Sequence, residues 1–338
     1  MKINKKSIFL RRGLFLISVT ASGYSYAECE LINNQIVQLP NIPSITLYEK
    51  GQGETQFSAG LKCSGLGIGN ITHIKYRVNQ QPSFLVKNST GEKIPINIVD
   101  INRTATVVGQ EINLSEFSIL NFFTGPDESL PFYISIPVGQ MVSPGTYISE
   151  KNFNIKWFYS VPGFAVAGIG EFYESPGFVR GFLGSVRSWG TGRDSSLGMQ
   201  ITILPDCRIS TSNVNFGTAA FAGAFEPVKT SMGIKCSAKT PYHVSLNNGL
   251  NPQNGSQRAM KSTTGNNYLK YEIYKNATSE RWGSGNQRWS SANATLNPGV
   301  YDGLLQQGYS FTTRILPDNS NSLPAGIYND TITVQVEF

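Results

Sequence analysis

The stretch Cys29…Gly60-Leu61-Lys62-Cys63-Ser64 returns, almost word for word, as Cys207…Gly233-Ile234-Lys235-Cys236-Ser237. Each copy runs from a cysteine through polar, Pro/Gly-rich sequence to a second cysteine. The duplication divides the chain into two related domains, read as residues 28–204 and 205–338, with 1–27 set aside as a signal peptide. The boundary falls near Leu204-Pro205-Asp206. Four cysteines allow three disulfide pairings. The repeat favours Cys29 with Cys63 and Cys207 with Cys236, one staple per domain. Loops of this size stabilise a domain by roughly 3–4 kcal/mol in the chain-entropy model.

Disulfides require an oxidising compartment, and the N-terminus supplies the route. Lys2, Lys5, Lys6, Arg11 and Arg12 form a positive region, and Gly13 to Val19 is a short apolar core. Ser25-Tyr26-Ala27 is a small-x-small cleavage site, predicting a mature start at Glu28. The apolar run is far below the ~20 residues that span a bilayer. Removing five of the 28 basic residues leaves 23 against 22 acidic, so the formal +6 falls to +1. The basic character belongs to the leader, and nothing argues for nucleic acid.

The rest of the chain punctuates like a β-protein. Tyr242, Val244 and Leu246 alternate with polar residues, as do Ile332, Val334, Val336 and Phe338. Turn signals such as Asn248-Gly249, Pro298-Gly299 and Pro324-Ala325-Gly326 separate the runs. No long stretch has helical periodicity. The expected fold class is all-β: two immunoglobulin-like β-sandwich domains in tandem. Pro144-Gly145-Thr146-Tyr147 before Phe153–Trp157 parallels Pro324–Tyr328 before Thr331–Val334, so the repeat extends beyond the cysteines.

The second domain resembles the spore coat protein U domain, shared by subunits of archaic chaperone–usher pili. Cys236-Ser237 followed by Pro241–Gly249, then Arg258-Ala259-Met260, Tyr268–Tyr274, Arg281-Trp282-Gly283 and Gly326–Val334, carries the resemblance over about 130 residues. The whole chain resembles the two-domain tip adhesins of Csu-type pili. The resemblance implies that the C-terminal domain is an incomplete pilin fold lacking its last strand. Partners lend that strand: a periplasmic chaperone first, then the adjacent pilus subunit, by strand addition at an open sheet edge, with an outer-membrane usher assembling the fibre. Ile332, Val334, Val336 and Phe338 are then the groove edge. With the mature chain starting Glu28-Cys29, no donor segment is expected, and the subunit should sit at the pilus tip on the cell surface. Without chaperone or donor the isolated protein is expected to be unstable.

The first domain is the longer one, and its surplus is unusual. Val161 to Trp189 reads VPGFAVAGIGEFYESPGFVRGFLGSVRSW, with only four charged residues. Regular strands rarely carry so much Gly and Pro. Three apolar hairpin tips are expected: Phe164, Ala165, Val166, Ala167 and Ile169; Leu183 and Val186; and Leu120, Phe122 and Phe123. Phe172, Tyr173, Phe178 and Val179 read as core. The family resemblance favours attachment through such tips to hydrophobic abiotic surfaces, and so biofilm formation. The alternative is a carbohydrate-binding tip, with Trp157, Tyr159, Trp189 and Trp282 stacking on sugars.

No enzyme signature competes. The two histidines, His73 and His243, lie in no H-E-x-x-H or metal-like cluster, and no G-x-S-x-G elbow occurs. Gly65-Leu66-Gly67-Ile68-Gly69 lacks the Lys-Ser/Thr of a phosphate loop and reads as a turn beside Cys63. No cofactor or metal is expected.

Overall fold

The computed structural model describes residues 29–64, 66–118, 123–296, 306–320 and 322–338. The signal-peptide reading and the candidates Leu120 and Phe122 lie outside the described residues. Both expected disulfides are present, Cys29–Cys63 and Cys207–Cys236.

The first domain places two sheets face to face. In chain order its principal strands are β1 (Cys29–Leu31), β2 (Asn33–Gln38), β3 (Gln52–Cys63), β4 (Asn70–Gln80), β5 (Ser129–Ile136), β6 (Gly145–Ser149), β7 (Phe153–Val166), β8 (Ile169–Glu174) and β9 (Arg193–Leu204). One sheet has the order β1, β3, β5 and the short strand Asn97–Val99. The other is built on β4, β7 and β9. Period-2 alternation decides which side each residue faces: Ser195, Leu197, Met199, Ile201 and Ile203 of β9 are all buried. Phe57 and Phe132 from the first sheet meet Tyr76, Phe153 and Trp157 from the second, with Phe132 5.2 Å from Tyr76 and 6.0 Å from Trp157 between ring centroids. Offset and edge-on aromatic pairs of this kind add to simple area burial.

Strand β9 is held on both sides. Against β6 and β7 it runs antiparallel, and on its other side β2 and then Ile42-Pro43 run parallel to it. The helix α1 (Ser44–Lys50) follows, and its last turn passes into Gly51.

The second domain repeats the plan with β10 (Cys207–Ser210), β11 (Val228–Cys236), β12 (His243–Leu246), β13 (Tyr268–Lys275), β14 (Gln307–Ile315) and β15 (Val334–Glu337). One sheet runs β10, β11, β14, β13, then Ala259–Ser262 and Tyr328-Asn329. Among the described residues the other holds Trp289-Ser290, β12 and β15. Between them Trp282 packs on Trp289, Tyr309 and Phe311. Arg258 is fully buried and pairs with Glu272, which also holds Arg281 at 2.7 Å. Its remaining donors reach the Asn247 carbonyl, so this buried charge is satisfied, as such a charge must be.

Polar contacts join the domains around the Pro205-Asp206 connection. The Ile45 amide donates to Asp206 Oδ1 at 3.0 Å, Arg208 pairs with Glu49 at 2.7 Å and Lys239 with Glu92 at 2.8 Å.

Candidate functional site

Two features at different places in the fold invite a partner. The first is the end of the β4–β7 sheet. Past Ser160, β7 leaves β4 and continues as a hairpin with β8. The turn Val166-Ala167-Gly168-Ile169 has only two central residues, at φ +50° and +85°. Two consecutive positive φ values are the geometry that suits a tight hairpin, because it matches the strand twist. Gly170, at φ +144°, has no room for a side chain: a Cβ there would meet the Phe164 carbonyl oxygen. The glycine-rich stretch after Cys63, expected to be a turn, instead forms the strand Leu66–Ile68 beside this hairpin, parallel to β7.

A second loop rises next to it. Val179-Arg180 and Val186–Ser188 form a short ladder closed by Phe182-Leu183-Gly184. Leu183 adopts φ +54°, ψ +32°, a left-handed conformation that costs an L-residue roughly 1–2 kcal/mol.

The two turns display apolar side chains to solvent. Phe164 is 68% exposed, Ile169 82%, Phe182 85% and Leu183 84%, with Val166 and Ala167 also exposed. Two expectations are corrected here. Ala165 is buried, because alternation along β7 turns it inward between Phe164 and Val166. Phe123 is buried too, a member of the first domain's core. Val186 is half-buried by its place opposite Arg180. Phe182, next to Leu183 and not among the residues expected at the tips, is the most exposed of the set. Its signal was the flanking pair Gly181 and Gly184. Of the residues expected in the core, Phe178 is buried, Phe172 and Tyr173 are half-buried, and Val179 is exposed.

The carbohydrate alternative loses most of its residues. Trp157, Tyr159 and Trp282 are buried core side chains. Trp189 is half-buried, packed on Phe178 at 5.4 Å with the Lys75 ammonium 4.8 Å from its ring centre.

The second feature is the edge of β15. It pairs with β12, Val336 opposite Val244 and Val334 opposite Leu246. No described strand lies on its other side. The regular strand covers Val334–Glu337, shorter than the expected run from Ile332 to Phe338. Ile332, Val334 and Val336 pack against the second core yet remain half-exposed, and Phe338 is exposed. Across the same core Val214 and Phe216 are likewise half-covered, in the segment 211–227 that holds no strand. A strip of half-covered apolar side chains beside an unpaired strand edge is the setting for strand addition.

Residues 194–335 match the Spore Coat Protein U domain family. Among solved structures, the chain is similar to a tip adhesion subunit from the CsuC–CsuE chaperone–tip adhesion subunit pre-assembly complex of the archaic chaperone–usher Csu pili of Acinetobacter baumannii. The identity is 51%, covering 92% of this chain and 100% of that one, with a TM-score of 0.74. The CupB6 tip adhesin of Pseudomonas aeruginosa matches at 12% identity over 92% and 94%, with a TM-score of 0.32. The CFA/I adhesin CfaE of enterotoxigenic E. coli, as its G168D mutant, matches at 9% over 90% and 93%, with a TM-score of 0.28. Comparison with curated protein sequences gives no match.

Proposed function

This chain belongs to the tip adhesins of archaic chaperone–usher pili, and from that premise we propose that it attaches cells to hydrophobic abiotic surfaces through the apolar turns of its first domain. A tip adhesin is a structural pilus subunit, not an enzyme, and it is displayed on an extracellular pilus. The observation that carries the attachment reading is the exposure of Phe164, Val166, Ile169, Phe182 and Leu183 on two adjacent turns.

The magnitudes are sufficient. Exposed apolar patches of a few hundred Å² mark interaction sites. At roughly 25 cal/mol per Å², burying about 300 Å² contributes about 7 kcal/mol before the cost of immobilisation. One tip then holds modestly, while many pili on one cell hold through effective concentration. Hydrophobic burial is non-directional, which suits a plastic better than a stereospecific receptor. Such attachment would serve biofilm formation.

The second domain is the assembly end in this reading. The A. baumannii relative was solved with its chaperone. Here too a periplasmic chaperone would cover the β15 edge during export, and the adjacent subunit would replace it at the outer-membrane usher. The first domain supplies the template for that filling. There β9 lies antiparallel to β7 and parallel to β2. A subunit's donor strand would accordingly run antiparallel to β15 and parallel to the segment carrying Val214 and Phe216.

Cells carrying Phe164→Ser, Val166→Ser, Phe182→Ser and Leu183→Ser together should assemble normal numbers of pili and fail to attach to polystyrene. Undiminished attachment by such piliated cells would remove the reading.

A further inference from the structure

We propose that Asn70 and His73, two buried polar residues at the start of β4, are the positioning residues of the contact surface and fix its two turns at one spacing. The inference rests on the attachment reading above, and it concerns residues that never touch the surface.

Asn70 is only 2% exposed. Its amide Nδ2 donates to the Ala165 carbonyl at 2.6 Å, and its Oδ1 accepts from the Gly168 amide at 2.7 Å. One side chain thus grips the tight β7–β8 turn on both sides of Val166-Ala167. His73 is 6% exposed. Its Nε2 lies 2.7 Å from the Gly184 carbonyl oxygen. A carbonyl only accepts, so Nε2 carries the proton. That bond holds the second turn immediately after Leu183. The imidazole packs against both Phe178 and Trp189, at 5.9 and 6.1 Å between ring centres, with those two rings 5.4 Å from each other. Between these two clamps the Ile71 carbonyl accepts from Arg180, whose guanidinium also donates to Ser160 Oγ and the Ser160 carbonyl.

Three residues of one strand span about 10 Å. Both turns are therefore tied to a single short, rigid ruler. A loop free to wander must be ordered each time it binds, at roughly 0.5–1.5 kcal/mol for each immobilised side chain. Turns held in advance avoid that cost. A buried side-chain amide and imidazole thus bond backbone groups of the turns, among them the Gly168 amide and the Gly184 carbonyl at left-handed residues.

The test uses the full chain in piliated cells, with pili counted by immunogold labelling. His73→Phe keeps a flat ring against Phe178 and Trp189 but has no donor for Gly184. Asn70→Ser shortens the other clamp, and His73→Gln restores a donor. His73→Phe and Asn70→Ser should each reduce attachment to polystyrene per pilus by about fivefold, while His73→Gln should recover most of it.

Hydrogen exchange on the purified full chain with its chaperone separates positioning from general weakening. His73→Phe should speed exchange in 179–188 alone, and Asn70→Ser in 163–170 alone. Should one of the two variants fail to assemble, the other still reads its own turn. Loss of attachment in the Ser-substituted tips with none in His73→Phe and Asn70→Ser, or uniform faster exchange across the domain, would overturn the positioning roles and leave the contact reading standing. Unchanged attachment in the tip variants would remove both.

Discussion

Strand β7 of the first domain and β15 of the second occupy corresponding places. Each pairs antiparallel with the first principal strand after the second cysteine of its frame, β4 in one case and β12 in the other. Their surroundings differ. Phe153, Ile155 and Trp157 of β7 are completely buried, because β9 lies alongside and β2 closes the far side. Ile332, Val334 and Val336, with the same alternation, stay half-exposed, and the segment corresponding to β2 forms no strand. Identical patterning therefore does not ensure a closed core. A sandwich needs the strand that joins its two halves, and when that strand is missing its neighbour on the other side loses its ladder as well.

The largest expected effect comes from filling the gap. Residues 28–204 expressed alone should fold as a stable, cooperative domain. Residues 205–338 alone should aggregate or melt at low temperature. Fusing an alternating apolar strand after Phe338 through a short glycine-rich linker should rescue them. Burying five apolar side chains at roughly 1.5–3 kcal/mol each contributes on the order of 10 kcal/mol gross. Calorimetry on the three proteins checks this, and an unfused second domain that melts as high as the fused one would erase the contrast.

The disulfides sharpen the same contrast at smaller scale. Their sequence separations are 34 and 29, so each contributes roughly 3–4 kcal/mol by chain entropy. Equal losses should have unequal consequences. Cys29→Ser with Cys63→Ser should lower the melting temperature of a first domain that still folds. Cys207→Ser with Cys236→Ser should remove the open domain from the soluble, chaperone-bound pool. Equal recovery of both complexes would mean that the second domain has stability to spare.

The architecture was legible in the sequence because its determinants are local or repeated. The cysteine frame gave the staples, and alternation along β12 and β15 gave the strands. The contact surface was legible only in outline. Residues between glycines, such as Phe164 and Leu183, could be picked out as tips, but whether Ala165 faces in or out depends on the register of one hairpin. Phe123 shows the same limit, since apolar composition alone does not separate core from surface. Asn70 and His73 carried no signal at all. Their partners lie 95 and 111 residues away, and a lone polar residue on a strand reads as an ordinary exposed position until the fold buries it.

Acid gives a third comparison, located in the first domain. Burial pushes the His73 imidazole below its ordinary 6.5, against the opposing pull of the Gly184 carbonyl and Glu174, while Arg180 pushes the same way as burial. The unfolded chain takes up a proton near 6.5 and the native chain only at lower pH. The contribution is therefore complete above 6.5 and is lost as pH falls below it. Against the upward push of burial, Arg208 and Lys235 hold the Glu49 carboxylate below its ordinary 4.5, and Lys239 and Ser143 hold Glu92 at about 2, so their losses come at lower pH still. Between pH 6.5 and 5 the first-domain transition should weaken in the native chain and stay flat in His73→Phe. An equal slope in both would assign the acid response elsewhere.

The smallest effect tests whether the turns trade stability for contact. Among the described non-glycine residues at positive φ, Ala167 and Leu183 are the apolar ones, and both lie on the exposed turns. Asn or Gly ordinarily fills the first position of such a hairpin turn. Ala167→Asn should therefore stabilise the first domain by about 0.5–1 kcal/mol, a rise of a few degrees in its melting temperature. Leu183→Gly should relieve a comparable strain. Both replace apolar surface at a tip, so attachment per pilus should fall as stability rises. Opposite signs in the two measurements are what a contact surface built against local preference requires. If stability and attachment rise together in Ala167→Asn, the apolar residue at that corner serves neither purpose, and the contact surface narrows to the large side chains of Phe164, Ile169, Phe182 and Leu183.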